Sequence, residues 1–319
     1  MIINFGYVAM SALLQDCSPS KTITVKNLSK IEAADARLFR LNDLAKNNLQ
    51  NTRRLFLHNT AYDIKVFRLT SKLIPLATHP ISCNWNWPKE LAADLKSIGD
   101  YAKTHNFRIS AHPDHFTLLN SPKETVIEAA LLDLEYHNQI FLSMGLDSSA
   151  KLVLHVGGCY KSKDESIDRF INNFKKLPSP IKNRIILEND DKVYTVKDVL
   201  KICQSQKIPM VLDIHHHYCN NIDDDIADYL SAVFETWVNE SSPPKIHLSS
   251  PKDPKSIRSH ADNINLTFFV EFLKKAKRLN SDFDVMIEAK NKDAALLKLL
   301  KELKEVPGVS FINQATIEY

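Results

Sequence analysis

A repeated alternation of short apolar runs with longer helical stripes is the feature that most constrains the fold of this chain. Eight apolar runs recur from one end of the sequence to the other. Between most of them lie a polar loop and a segment with apolar residues at i, i+3, i+4 and i+7. This pattern is typical of parallel strands joined by right-handed crossovers. The predicted strands are 2–5, 66–69, 107–111, 152–154, 185–187, 210–212, 246–248 and 285–287.

Eight such units in 319 residues favour an α/β fold of the single (β/α)8 TIM-barrel type over an open doubly wound sheet. Glycine occurs only 6 times, and neither GxGxxG nor GxxxxGK[ST] is present, which disfavours the common nucleotide-binding folds. No linker-like stretch divides the sequence, so we expect one domain over residues 1–319. The aromatic stretch 70–89 is predicted to be a substrate-facing loop.

Charge and cysteine content indicate which partners and which cellular compartment the protein has. The formal net charge of +3 is too small to establish or exclude nucleic-acid binding. Five widely spaced cysteines without a CxxC argue against a disulfide framework or a thiolate zinc site. No signal peptide or membrane span is predicted. We therefore expect a cytoplasmic protein that acts at the nucleoid and has no membrane partner.

Ligand-type side chains close six of the eight predicted strands. Helix capping could explain one of them, but capping favours Ser, Thr, Asn and Asp and has no preference for His or Glu. Catalytic groups of such barrels come from the carboxyl ends of different strands, so we predict a shared site there. The six residues are His112, His155, Glu188, Asp213, His247 and Glu288.

Imidazole and carboxylate ligands without cysteine suit Zn²⁺, Mn²⁺ or Fe²⁺ better than Ca²⁺. Three histidines and three carboxylates exceed one tetrahedral shell, so at least two ions are implied, with Glu188 bridging them. Phosphodiester hydrolysis is the reaction that most needs such a pair. His216 of the DxxH run and His260 of the HxD run are further candidate ligands, whereas His215 and His217 are predicted to be neighbours of the site.

The order of these motifs resembles the UV damage endonuclease family, which is related to the endonuclease IV group of TIM-barrel nucleases. The resemblance covers nearly the whole chain. It rests on FGYVAM, CSPSKT, FRLTSKLIP, RISAHPDHF, LVLHVGG, LEND, LDIHHH, PKIHLSS, RSHAD and IEAK, in that order and at strand ends.

The resemblance implies a centre of three divalent ions, with manganese favoured and zinc, magnesium or cobalt as alternatives. It assigns His112, His155 and Glu188 to one ion, and His216 and His260 to a third. The second ion would be held by Glu188, Asp213, His247 and Glu288. It also implies that Lys245 carries a carboxyl group near the metals and, with Glu188, serves catalysis.

The resemblance further implies incision of double-stranded DNA immediately 5′ to UV lesions, pyrimidine dimers and 6-4 photoproducts, leaving a 3′-hydroxyl and a 5′-phosphate. A stacked lesion cannot reach a barrel mouth, so it must be extruded and the gap filled by inserted side chains. By the residues that match the family, the resemblance implies insertion by His115 and Phe116, which we call the β3 loop pair, and a lesion contact by Tyr7. At Ser11, a relative of this family has Asn. Phosphate contacts are expected from Lys252, Lys255 and Arg258, the β7 loop cations, with Lys161 and Lys163 as further candidates.

The sequence pattern is also compatible with three other functions. An abasic-site endonuclease, a metal-dependent sugar isomerase or epimerase on the same barrel, and a non-catalytic damage-binding protein would share parts of the pattern. The extra DxxH and HxD residues and the HPDHF run favour DNA. The sequence does not decide the roles of His79, Trp85 and Trp87, and a monomer is expected.

Overall fold

The computed structural model describes residues 1–221 and 223–319, and its centre is a closed barrel of eight parallel strands. The strands lie in chain order around the barrel, and pairing of the first strand with both the second and the eighth closes it. This confirms the TIM barrel and all eight predicted strand positions. The barrel strands are β1 Ile2–Val8, β2 Val66–Leu69, β3 Arg108–Ala111, β4 Lys151–His155, β5 Ile185–Glu188, β6 Met210–Asp213, β7 Lys245–Leu248 and β8 Phe283–Ile287.

Helices connect the strands and cover the outside of the barrel. The helical stripes predicted from residue 122 onward correspond to observed helices, for example α8, whose N-terminus carries a capping box formed by Thr195 and Asp198. The helices are α1 Val25–Leu28, α2 Ala34–Ala61, α3 Trp87–Glu90, α4 Ala92–Thr104, α5 Glu124–Ser143, α6 Lys163–Lys176, α7 Ser179–Lys182, α8 Val196–Gln206, α9 Ile214–Cys219, α10 Ala227–Glu235, α11 Leu266–Ala276 and α12 Lys292–Leu303.

A C-terminal hairpin extends the sheet beyond the barrel. Its strands are β9 Ser310–Asn313 and β10 Thr316–Glu318, and β10 pairs antiparallel with β1, opposite Ile2 to Asn4. The hairpin therefore joins β1 near the amino end of the barrel strands, away from the strand ends that carry the candidate ligands.

The stretch between β2 and α4 is more ordered than a plain loop. It contains a short 3₁₀ helix, Pro80–Ser82, and helix α3. Trp85 and Trp87 are buried, and Trp87 packs edge-on against Tyr136 of α5 with ring centres 5.9 Å apart. Both tryptophans thus belong to the apolar core. His79 caps the 3₁₀ helix, since its Nδ1 accepts a hydrogen bond from the Ile81 backbone at 3.1 Å.

The main apolar core lies between the barrel and its helices, and side chains from all eight strands contribute to it or to the barrel interior. Strand register sets the height of the polar groups. His155 is paired with Glu188 across β4 and β5, and Asp213 with His247 across β6 and β7. Four candidate ligands are thereby placed at one level, at the carboxyl end of the barrel. Within the described ranges, no helix combines the length and apolarity required to cross a membrane.

Candidate metal centre

Glu188 lies at the middle of the predicted ligand set. It is 1% exposed. Its Oε2 lies 3.4 Å from His112 Nε2 and 3.6 Å from His155 Nε2, and its Oε1 accepts a hydrogen bond from His247 Nδ1 at 2.7 Å. One carboxylate therefore faces three imidazoles, two through one oxygen and one through the other.

Two overlapping groups of residues have the geometry to hold a metal ion, and Glu188 belongs to both. The first comprises His112, His155 and Glu188, and the second Glu188, Asp213 and His247. In each group, one candidate ligand atom per residue lies within 4.8 Å of the others. This arrangement brings together the residues that the sequence assigned to the first ion and three of the four assigned to the second.

Asp213, at the end of β6, is fixed by hydrogen bonds of both its side chain and its backbone. Its Oδ1 accepts the backbone N–H of His216 at 2.7 Å and so caps helix α9, which explains why His216 follows at the third position. The Asn189 side chain bonds the Asp213 backbone on both sides, at 2.9 and 3.0 Å. The turn that carries Asp213 and His216 is therefore held rigidly against the β5 loop.

His216 and His260, the two residues assigned to a third ion, lie beside the first two groups. The His216 ring centre is 5.7 Å from that of His155 and 6.2 Å from that of His260. Both residues fall outside the two groups above, so a third ion stays a prediction. His215 is fully buried beside the site: its Nε2 donates to the Ile257 carbonyl at 2.6 Å and its Nδ1 accepts a hydrogen bond from the Ser249 hydroxyl at 2.7 Å, in keeping with its prediction as a neighbour.

Backbone carbonyls orient three of the histidines in the same way. Nδ1 of His112, His216 and His260 donates to the carbonyl of Pro113, Asn189 and Glu288, respectively, at 2.8 to 2.9 Å. A carbonyl can only accept, so Nδ1 of each ring carries a proton and Nε2 is the nitrogen that remains to bind a metal ion. This outer hydrogen bond is the usual device that fixes a metal-ligating histidine.

Burial and neighbouring charges shift the pKa values of these buried groups in opposite directions. Burial alone would raise the pKa of Glu188, but His247, His155 and His112 hold that pKa well below its usual range. Burial lowers the pKa of His155 to about 4, although Glu188 acts in the opposite direction. Glu188 is thus ionised and His155 neutral near neutrality, which are the states in which both bind metals.

The pKa values of Asp213 and His216 show the same competition between burial and charge. Burial raises the pKa of Asp213 to about 6, against the effect of His216. For His216, burial would lower the pKa, but the carboxylates of Asp213, Glu188 and Glu288 raise it to about 9. Burial thus outweighs the neighbouring charge for Asp213, whereas the neighbouring carboxylates outweigh burial for His216.

The residues present fit divalent cations by a second criterion. Buried polar atoms at this site have no hydrogen-bond partner among the residues that the structure describes: Glu188 Oε2, Asp213 Oδ2, His247 Nε2 and His155 Nδ1. Uncompensated buried polar atoms are costly, and here they are carboxylate oxygens and imidazole nitrogens. Both are donor types that bind Zn²⁺ or Mn²⁺.

Arg68 is a site residue that the sequence analysis did not single out. It forms an ion pair with Glu288 and, although burial would raise the pKa of that carboxyl, Arg68 and His247 hold it at about 2. Glu288 also lies 3.1 Å from His247 Nδ1. An arginine inside the apolar run VFRL was the available signal, because a cation in a barrel strand needs a buried partner.

Lys245 lies two residues before His247 on β7, so the two side chains point to the same side of the strand. The lysine side chain is fully buried. Its Nζ donates to Ser110 Oγ at 3.1 Å, and burial together with the charge of Arg108 lowers its pKa well below the usual range. Arg108 itself pairs with Asp284. The lysine thus faces the barrel interior below the candidate ligands.

The predicted DNA contacts divide into exposed and buried residues. His115 and Phe116 are exposed on the loop after β3, and Phe116 is 49% exposed. Tyr7 is fully buried, with its hydroxyl donating to Asn59 Oδ1 at 2.7 Å and its ring edge-on to Phe67. Its buried position speaks against direct contact with a lesion.

The candidate phosphate-binding cations differ in their surroundings. Lys252, Lys255 and Arg258 are exposed, and Arg258 Nε donates to the Asp191 carbonyl at 3.1 Å. Lys163 instead forms an ion pair with Asp198 at 2.8 Å, which engages its charge within the protein. Lys252 and Lys255 after β7 and Lys161 after β4 are therefore the exposed candidates, and Arg258 also lies 3.8 Å from Asp191 Oδ2.

A cavity of about 210 Å³ opens beside the first ligand group. It is lined by the loops after β3, β4 and β5, including His112, His155 and Asp190. Ligand sites of TIM barrels lie on this face of the fold. The cavity gives a path from solvent to the imidazoles that face Glu188.

Comparison with known proteins agrees with this architecture. The structure of SacUVDE superimposes with a TM-score of 0.84 at 35% identity, covering 95% of this chain and 98% of that one. Endonuclease IV from Thermus thermophilus shares the fold, with a TM-score of 0.55 at 14% identity over 95% of this chain and 100% of that one. A protein of Bacillus thuringiensis subsp. konkukian named UV DNA damage endonuclease is 42% identical over 319 residues, the full length of both. The family model described as UV-endonuclease UvdE matches residues 3–319, and the chain therefore belongs to this UvdE family.

Proposed function

We propose that this protein is a DNA repair endonuclease that incises duplex DNA immediately 5′ to UV photoproducts, both pyrimidine dimers and 6-4 photoproducts. The product ends would be a 3′-hydroxyl and a 5′-phosphate. The observation that carries the proposal is Glu188, shared by two ligand groups at the mouth of a barrel of the UvdE family. The name of the Bacillus relative supports UV-damaged DNA as the substrate.

The two ligand groups would hold two divalent ions, and His216 with His260 would hold a third. Manganese is our first choice, with zinc, magnesium and cobalt as alternatives. Bound ions of this kind lower the pKa of water and stabilise charge on the attacking and leaving oxygens of a phosphodiester. Glu188 contributes by staying ionised in a buried position, and the backbone carbonyls contribute by engaging Nδ1 of three histidines, which leaves Nε2 as the nitrogen that would bind an ion.

Arg68 keeps the arrangement in place. Its guanidinium pairs with Glu288 and fixes that carboxylate against His247. Such a contact orients a ligand without itself touching the substrate. We assign Arg68 a positioning role for Glu288 and His247.

Lys245 would carry a carboxyl group. The lowered pKa favours the neutral amine, whose lone pair can form a C–N bond to carbon dioxide while one proton passes to water. The resulting anion would lie near Arg108, whose Nε and Nη2 have no acceptor within residues 1–221 and 223–319. A new buried acceptor would relieve that cost.

The DNA would lie across the carboxyl ends of the barrel strands. The β3 loop pair would fill the gap left by the extruded lesion, since it is exposed and follows the ligand His112 by three and four residues. Damaged bases are already poorly stacked, which lowers the cost of extrusion, a few kcal/mol, and supplies part of the selectivity. The β7 loop cations would hold phosphates without reading damage.

Nicking of supercoiled plasmid tests this function. UV-irradiated, abasic and undamaged plasmids are incubated with the purified protein, with Mn²⁺ or with chelator, and incisions are mapped on a duplex that contains one photoproduct. We expect Mn²⁺-dependent nicking of irradiated plasmid and extension of the new 3′ end by a polymerase. Nicking of abasic plasmid alone would indicate the alternative abasic-site activity, and no nicking of either would contradict the proposal.

A further inference from the structure

The loop after β4 presents an aromatic ring at the same end of the barrel as the candidate ligands. Tyr160 follows His155 by five residues and is 44% exposed. A single exposed aromatic residue requires no explanation by itself. The question is whether the protein holds this ring in a defined position.

The backbone of the loop is fixed by its neighbours. Gly157 has φ 116°, and a Cβ there would lie 2.3 Å from Asn120 Oδ1, so only glycine fits. Asn120 Nδ2 donates to the Gly158 carbonyl at 2.7 Å, and the Tyr194 hydroxyl donates to the same carbonyl at 3.0 Å. Side chains from the loops after β3 and β5 therefore clamp this loop from both sides.

Tyr160 itself has a backbone conformation that is unfavourable for a residue with a side chain. Its φ of 52° lies in the left-handed region, which non-glycine residues rarely occupy. Residues persist in that region when the surrounding structure requires it, and such positions concentrate at functional sites. A Cβ on Gly158 would lie 3.3 Å from Tyr160 Cε2, so the ring packs closely over the glycine.

A fixed cation supports the ring. The Arg169 guanidinium carbon lies 5.5 Å from the centre of the Tyr160 ring. Arg169 is held in turn by its Nε, which donates to the Asn120 carbonyl at 3.0 Å, and by its Nη2, which donates to Ser166 Oγ at 2.8 Å. The ring is thus both exposed and oriented, at little further entropic cost on binding.

We propose that Tyr160 stacks on a nucleobase that is unstacked beside the lesion. An oriented aromatic ring is the common means by which proteins bind exposed bases, because every base has a π face. Exposed Lys161 next to it suits the adjoining phosphates. The inference rests on the proposed function and adds a contact on the β4 loop to the β3 loop pair.

The chain offers a matched control at the other end of the barrel. Lys277 Nζ lies 4.1 Å from the centre of the Tyr319 ring, so Tyr319 is also a tyrosine with a cation beside it. Tyr319 directly follows β10, which pairs with the first residues of β1. Truncation of this tyrosine removes a similar contact on the side away from the proposed DNA path.

Incision kinetics test the assignment. Wild type and the variants Tyr160→Ala, Tyr160→Phe and Tyr319→Ala are compared in Mn²⁺ on a duplex with one pyrimidine dimer and an adjacent 2-aminopurine. For Tyr160→Ala we expect the half-saturating enzyme concentration to rise between about fivefold and one hundredfold, with a nearly unchanged maximal rate. Quenching of 2-aminopurine fluorescence should be lost as well. Tyr160→Phe and Tyr319→Ala should behave like wild type, and thermal unfolding confirms that each variant is folded.

Other outcomes overturn the inference. Wild-type behaviour of Tyr160→Ala would show that no base stacks there, and equal loss in Tyr160→Phe would show that the ring is not the essential part. Equal loss in Tyr319→Ala would indicate a general effect of truncating surface tyrosines. If the wild type itself fails to distinguish irradiated from intact DNA, the proposed function fails and this inference fails with it.

Discussion

Replacing Glu188 with glutamine should abolish most of the stabilisation that divalent ions give to this protein. Glu188 is the residue common to both ligand groups, and its two oxygens face His112, His155 and His247. Glutamine keeps the size of the side chain, and its carbonyl oxygen can still accept the hydrogen bond from His247. The substitution therefore removes the negative charge with little change in packing.

The size of the effect follows from linkage between binding and folding. An ion present at 100 times its dissociation constant stabilises the native state by about 2.7 kcal/mol. The entropy of unfolding is about 2.1 cal/mol/K per residue, so in this chain of 319 residues each kcal/mol raises Tm by roughly 1.5 °C, and each ion should raise Tm by about 4 °C. Calorimetry or scanning fluorimetry with and without Mn²⁺ measures the shift. We expect a clear rise for the wild type and almost none for Glu188→Gln.

A half-buried carboxylate elsewhere in the protein provides the control. Glu240 pairs with Lys151 at 2.6 Å, away from the candidate ligands. Glu240→Gln should lower Tm in the absence of metal, yet it should leave the Mn²⁺-induced rise unchanged, because the rise is a difference between two states of one variant. A full Mn²⁺-induced rise in Glu188→Gln would refute the bridging role of Glu188.

Three further predictions concern DNA and Lys245. Replacing both members of the β3 loop pair with alanine should lower the ratio of incision at a fully paired lesion to incision at a lesion beside a mismatch, and an unchanged ratio would exclude their insertion. Replacing the three β7 loop cations with alanine should reduce the slope of log affinity against log salt by roughly 0.9 for each phosphate that the protein no longer binds, equally for damaged and intact duplex. Protein prepared with ¹³C-bicarbonate should show a carbamate ¹³C signal that Lys245→Met lacks; equal signals in both would place the modification elsewhere.

The regular part of the fold was predictable because its signal is local. Each barrel strand is an apolar run, and the longer helices from α5 onward carry apolar stripes, so the strand positions and the candidate ligands at the strand ends followed from the sequence. The short helices α7 and α9 were not predicted. Helix α2 was not predicted, since buried Asn48, Asn51, Thr52 and Asn59 interrupt its apolar stripe. The hairpin of β9 and β10 was also missed, because its partner β1 lies at the other end of the chain.

The clustering of the candidate ligands at one end of the barrel was predictable from the sequence, but the contacts around them were less so. Strand ends converge in any TIM barrel, which is why the residues of both ligand groups could be named in advance. Burial of Tyr7, pairing of Lys163 with Asp198, and pairing of Arg68 with Glu288 depend on side-chain contacts between distant segments. No periodicity or spacing in one sequence encodes such contacts.

The central claim is that Glu188 joins two metal ions at the mouth of the barrel. Crystals soaked in Mn²⁺, with data collected at the manganese absorption edge, test it most directly. The account predicts at least two anomalous peaks on opposite sides of the Glu188 carboxylate, one beside His112 and His155 and the other beside Asp213 and His247. A single peak, or peaks that Glu188 does not contact, would contradict it.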